Sequence, residues 1–187
     1  MQYWTTEMEK QVGERLQILL KNPRLMSVYQ QFGGAPFRRS SVFHGLEKVL
    51  TENEVRGQRC FEIGTWNALT AVVLSQFFDE VVTVDIAHNE LKHDVIRHLG
   101  ITNIRCVDIL DNAEKARVVA KLEFDFAYLD GNHAADTPLD WALTKRCGRV
   151  LFHEAWPFQK PVWDLVMSLP DAEVTFGGAG LALWRRK

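Results

Sequence analysis

The chain has three cysteines, Cys60, Cys106 and Cys147, and no two of them are close in sequence. An odd number without near pairs excludes a disulfide framework and a cysteine-type zinc site. Each lies at or beside an expected strand, where a small buried hydrophobe fits. No window is apolar enough for a membrane span, and the opening M-Q-Y-W-T-T-E-M-E-K has neither a basic start nor an apolar core. A cytoplasmic protein without a membrane partner is expected. Cationic excess is also missing. The net charge is -2, so nucleic acid is not expected as a partner. Residues 1–59 carry nine Lys or Arg against six acids, which leaves room only for a local basic patch; residues 60–187 carry thirteen against eighteen. Repeats and low-complexity segments are absent.

An apolar fraction of 47% and a charged fraction of 25% over 187 residues describe one well-filled globular core. The chain is organised around Cys60 to Thr70, C-F-E-I-G-T-W-N-A-L-T. An apolar run ends in Glu62 and Gly64, then leads through a tight segment into an apolar helical pattern, as a strand feeding a ligand-binding turn and a helix is written.

Before that stretch, Thr5 or Thr6 caps an expected helix to about Leu20, and Asn22-Pro23 breaks it. Further helices are expected over Leu25–Phe32 and from Ser41 to about Thr51, separated by the turn Gly33-Gly34-Ala35-Pro36. Residues 1–55 are thus a helical extension to a core over 56–187, together one domain. Such a prefix should pack across the core, and its apolar faces allow it to roof the pocket or to serve a homodimer.

Strands are expected near 59–63, 80–84, 103–107, 124–129, 148–152, 172–176 and 180–185, with helices near 67–78, 89–99, 112–121, 135–145 and 160–168. The first five strands are separated by helix-length crossovers, as parallel pairing requires. Only a few residues around Gly177-Gly178-Ala179 separate the last two, which must form a hairpin. The expected fold is α/β: a Rossmann-like, seven-stranded, mostly parallel sheet with an antiparallel last strand, helices on both faces and an N-terminal helical extension.

This order, with E-I-G-T-W-N-A-L-T at 62–70, V-V-T-V-D at 81–85, C-V-D at 106–108, L-D-G-N-H at 129–133, F-H-E at 152–154 and G-L-A-L-W-R-R at 180–186, resembles the class I S-adenosylmethionine-dependent methyltransferases. Within them it looks most like the small-molecule O-methyltransferase branch. A metal-dependent subset of that branch has D-G-x-H after strand four and H-D after strand five. The resemblance covers roughly residues 40–187 and implies S-adenosylmethionine-dependent methyl transfer to a small molecule at a hydroxyl oxygen.

Gly64 allows a sharp turn or a close approach. The amides of Thr65, Trp66 and Ala68 open onto a helix N-terminus suited to a carboxylate, which the resemblance makes that of the cofactor's methionine part. Glu62, in the same crevice, is placed to take the ammonium group. Trp66 and Ala68 stand where glycine is common in the family. Asp85 ends the second strand, where an acid holds ribose hydroxyls in methyltransferases and dinucleotide enzymes alike. A nicotinamide-dependent oxidoreductase therefore stays open as an alternative, as does a non-catalytic binding or structural protein on this fold. Asp108 resembles the acid that accepts from the adenine amino group, and Ile109 could pack on the ring.

At the reacting end, Asp130, His133, His153 and Glu154 follow strands four and five. Two chemistries fit. In one, Asp130, His153 and Glu154 hold Mg²⁺, which lowers a hydroxyl's pKa, although the family pattern has Asp where Glu154 stands. In the other, His133 or His153 is a general base without metal. Trp156, Phe158 and Trp163 follow as an expected apolar wall.

Overall fold

The computed structural model describes residues 21–37, 45–132, 135–169, 172–177 and 180–187. The expected first helix, the residues that would open the third helix, and His133 lie outside the described residues. The elements in order are α1 (Pro23–Phe32), a 3-10 turn (Ala35–Phe37), α2 (Leu46–Glu52), β1 (Gly57–Ile63), α3 (Leu69–Leu74), β2 (Phe78–Asp85), α4 (Leu91–His98), β3 (Ile104–Asp108), α5 (Asn112–Ala120), β4 (Phe126–Leu129), α6 (Thr137–Thr144), β5 (Arg149–Phe152), α7 (Lys160–Ser168), β6 (Ala172–Gly177) and β7 (Leu181–Arg186).

Local chemistry sets several boundaries. The Asn22 side chain accepts from the amides of Arg24 and Leu25, and Pro23 occupies the first turn, so the Asn-Pro pair starts α1. Asp111 caps α5 by accepting from the Glu114 amide. Helix α3 is shorter than its expected 67–78. Phe77 and Phe78 are buried, and β2 already begins at Phe78, paired with Gly57 of β1. Pairing and burial override a helical periodicity that would continue.

The seven strands form one mixed sheet in the order β3-β2-β1-β4-β5-β7-β6. Strands β1 to β5 pair in parallel, while β7 is antiparallel to both β5 and β6. Parallel strands buried on both faces read as nearly continuous apolar runs, which is the character of V-V-T-V and F-A-Y-L. One face carries a core of residues from α1 to α4 over Cys60, Val81, Tyr128 and Leu151. The other carries α5 to α7 over Phe61, Val82, Leu129 and Phe152. The described prefix helices α1 and α2 therefore pack on the first face, with Leu25, Val28, Leu46 and Leu50 fully buried. No described residue before β1 lines the main cleft, so a roof over it is not supplied by these two helices.

Strand order reverses between β1 and β4. In an open α/β sheet the crevice forms at that switch point, beyond the carboxyl ends of the strands. The chain is closely drawn together there. A Cβ placed on Gly64, whose φ is +100°, would overlap the Asp130 carbonyl oxygen, so only glycine lets the turn after β1 pass the turn after β4.

Candidate functional site

The sheet ladder runs one residue past the strand ends and holds the site in line. The Gly64 amide donates to the Val84 carbonyl (2.9 Å), that of Asp130 to Ile63 (2.9 Å) and that of His153 to Leu129 (3.0 Å). A cleft of about 640 Å³ opens above these ends, within the range of small-ligand sites. Gly64, Trp66, Asp85, Ile109, Asp130, His153 and Glu154, all expected from sequence, line it. Glu62, Thr65, Ala68 and Asp108 do not.

On the β1–β2 side, Asp85 is already engaged. Its Oδ2 accepts from the Trp66 amide (2.6 Å) and its Oδ1 from the Ala87 amide (2.7 Å). It fastens two loops, and each oxygen retains a lone pair for a ligand hydroxyl. Thr65 is buried with its hydroxyl 2.6 Å from that of Thr83. Asn67, also buried, donates to the Pro36 carbonyl and ties this turn to the prefix. Trp66 has φ +45° and Ala68 φ +65°, both left-handed conformations. A left-handed conformation of this kind favours glycine, which neither position has. Glu154, at the other rim, has φ +56°. Residues held this way cost roughly 1–3 kcal/mol each and concentrate at functional sites.

Glu62 lies in the sheet between Thr83 and Tyr128, with no exposed surface. Neither carboxylate oxygen has a partner in hydrogen-bonding geometry among the described residues. Burial pushes its pKa well above the ordinary value, with smaller upward contributions from Asp130 and Asp85; the neighbouring Thr83 hydroxyl only partly offsets this. Asp108 is different. Its carboxylate pairs with the buried Lys92 ammonium and lies 3.7 Å from His88 Nδ1. The Lys92 contact holds its pKa below the usual range. The side chain expected to meet an adenine is turned to a lysine instead.

On the β4–β5 side, His153 Nδ1 is 2.5 Å from Asp130 Oδ1. The Tyr128 hydroxyl donates to Asp130 Oδ2 at 3.4 Å, and the Tyr128 ring stacks on the imidazole, 6.4 Å between centroids. Sequence reasoning passed over the buried ion pair of Lys115 and Asp140 (2.5 Å). Lys115 lines the cleft beside Asn112. A lysine on the inward side of α5, in step with Val119, was its only sequence signal. The partner on α6 could not be read locally.

Among the described residues, no three His, Cys, Asp or Glu side chains are grouped as metal ligands. Asp130 and His153 are directed at each other. The thiols offer no alternative nucleophile. Burial raises the Cys106 and Cys147 pKa values to about 11 and that of Cys60 well upward, keeping them protonated near neutrality. No described helix is long and apolar enough to cross a membrane.

No protein-family model matches the chain, and no curated protein matches it by sequence. Solved structures do. An O-methyltransferase from Bacillus cereus in complex with SAH superposes with a TM-score of 0.73 at 14% identity, covering 96% of this chain and 99% of that one. Cofactor-bound Rv0187 from MTB gives 0.71 at 14% identity, covering 98% of each chain. A precorrin-6y C5,15-methyltransferase from Geobacter metallireducens gives 0.56 at 11% identity over 76% of this chain and 88% of that one. The chain shares its fold with these proteins.

Proposed function

We propose that the chain transfers the methyl group of S-adenosylmethionine to a small-molecule acceptor, at a hydroxyl oxygen, without a metal. The observation that carries the chemistry is the contact between Asp130 and His153 at the ends of adjacent strands, on the floor of the cleft.

The residues present suit the cofactor. The crossing at Gly64 frames the crevice, Asp85 retains acceptor capacity for ribose hydroxyls, and Ile86 and Ile109 offer apolar surface to a ring. Glu62 is a buried carboxylate lacking a partner among the described residues, beneath the loop where an ammonium group would sit. When bound, S-adenosylmethionine supplies a methyl group on a sulfonium, which needs an aligned nucleophile and little else. Because an ionised carboxylate only accepts, Asp130 fixes the imidazole proton of His153 on Nδ1. Nε2, which has no accessible surface as the chain stands, is then the nitrogen assigned to take the acceptor's hydroxyl proton once a bound acceptor reaches it, and Asp130 stabilises the resulting imidazolium. Tyr128 holds Asp130 from behind and packs against the ring.

The test is methyl transfer from labelled S-adenosylmethionine to a panel of hydroxylated aromatic acceptors, with a chelator present. Transfer that survives chelation and is lost in His153→Ala supports the reading. Transfer abolished by chelation and restored by Mg²⁺ overturns the metal-free mechanism. A second reading, a binding protein without catalysis, draws on the engagement of Asp85 and Asp108 within the protein itself. Tight cofactor binding with no transfer to any acceptor would favour it.

A further inference from the structure

We infer that Asn112, not Asp108, reads the base of the bound nucleoside, and that Asp136 determines which bases it accepts. The inference rests on the cofactor reading above.

Asp108 is committed elsewhere. The side chain of Lys92, its partner, is 1% exposed, and its other recorded acceptor is the Ala87 carbonyl at 3.4 Å. Turning Asp108 toward a ligand would leave a buried ammonium without its counter-ion, which is costly. The carboxylate also lies outside the cleft lining. Beyond β2 and β3 the cleft is nevertheless lined by apolar residues, Val84, Ile86, Ala87 and Ile109, on which a flat ring can pack. Apart from Asp85, whose oxygens already accept from two amides, the polar side chains there are Asn112, three residues past Ile109, with its partner Asp136, and Lys115. The latter is a donor only, and it is held by Asp140.

An exocyclic amino group needs an acceptor, and Asn112 has one. Its Nδ2 donates to Asp136 Oδ1 at 3.0 Å. A carboxylate cannot donate, so the amide is held with nitrogen toward Asp136, and Oδ1 is the atom offered to a ring. The adenine amino group suits that oxygen. A 6-oxo purine presents a carbonyl there, and turning the amide over to meet it would set its oxygen against the Asp136 carboxylate. Discrimination thus depends on two side chains, one that accepts and one that stops it from rotating.

The test is calorimetric titration of the full chain with S-adenosylhomocysteine and with S-inosylhomocysteine, its 6-oxo counterpart. The wild type should prefer the adenosine ligand by about tenfold, one good hydrogen bond. Asn112→Ala should bind the two within about twofold of each other. Asp136→Ala keeps the acceptor but frees its rotation, and should narrow the gap; Asp108→Asn should keep it. Asn112 is exposed and Asp136 half-buried, so neither substitution opens the core, and circular dichroism checks the fold. A gap that survives in Asn112→Ala, or collapses in Asp108→Asn, overturns the inference. Equal binding of both ligands by the wild type overturns it while leaving the cofactor reading intact. Binding of neither overturns both.

Discussion

The two sides of the switch point use their strand-end acids differently. Beyond β1, β2 and β3, the acids expected to meet a ligand also serve the protein: Asp85 fastens two backbone amides, and Asp108 neutralises a buried lysine. Beyond β4 and β5, Asp130 and His153 meet each other across adjacent strands. On the first side polar groups secure the loops that shape the cleft, while on the second they contact each other, the pair assigned above to proton transfer. A strand-end position says that a side chain is near the crevice. Its partner says what it does there.

The largest contrast is expected at the pair. His153→Ala should lower methyl-transfer turnover by roughly 10²–10⁴-fold, the usual contribution of a general base, while calorimetry finds S-adenosylhomocysteine affinity nearly unchanged. A large loss of affinity with turnover preserved would reverse the assignment of the two sides. Asp85→Ala should do the opposite. It removes two hydrogen bonds to amides and a ribose acceptor, costing about 1–3 kcal/mol of stability in denaturant unfolding as well as cofactor affinity. Unchanged stability would mean that the amides are held by something else.

Glu62 links the two sides and should be visible in pH dependence. Its carboxyl is raised above the ordinary 4.5, so below that value folded and unfolded states both hold the proton and no penalty arises. Above it the unfolded chain ionises while the folded one stays neutral, and stability falls with rising pH until Glu62 itself ionises. The slope approaches about 1.4 kcal/mol per pH unit from this group. Glu62→Gln should remove that slope, matching the wild type near pH 4 and exceeding it at pH 8 in chemical denaturation. Parallel curves would show that Glu62 is not held neutral. Asp108→Asn leaves the buried Lys92 ammonium without its counter-ion, and a loss of about 3 kcal/mol is expected in denaturant unfolding. The lowered pKa of Asp108 gives stability that is present above the ordinary 3.8 and lost as pH falls through the folded value. Smallest is Trp66→Gly, where relief of the left-handed backbone offsets the added chain entropy to within about 1 kcal/mol. A larger destabilisation would mean that the exposed indole supports the loop.

Much of this arrangement could be read from the chain. Strand positions, the terminal hairpin, and the placement of Asp130 and His153 at neighbouring strand ends follow from period, crossover length and apolar runs. Ligand-side geometry was less legible. Glycine-like backbone at Trp66 and Ala68 is recorded only as departures from a glycine pattern, and its left-handed φ values require coordinates. Three contacts depend on distant partners: Asn67 with Pro36, Lys92 with Asp108 and Lys115 with Asp140. Nothing local announces them. The end of α3 is not legible locally, because the Gly57–Phe78 pairing, a tertiary fact, starts β2 early.

The most direct measurement is titration of the purified chain with S-adenosylhomocysteine, wild type beside His153→Ala. Micromolar binding in both, about -8 kcal/mol, with methyl transfer confined to the wild type, is the predicted result. Folded protein that gives neither heat nor a thermal shift with the ligand would contradict the account.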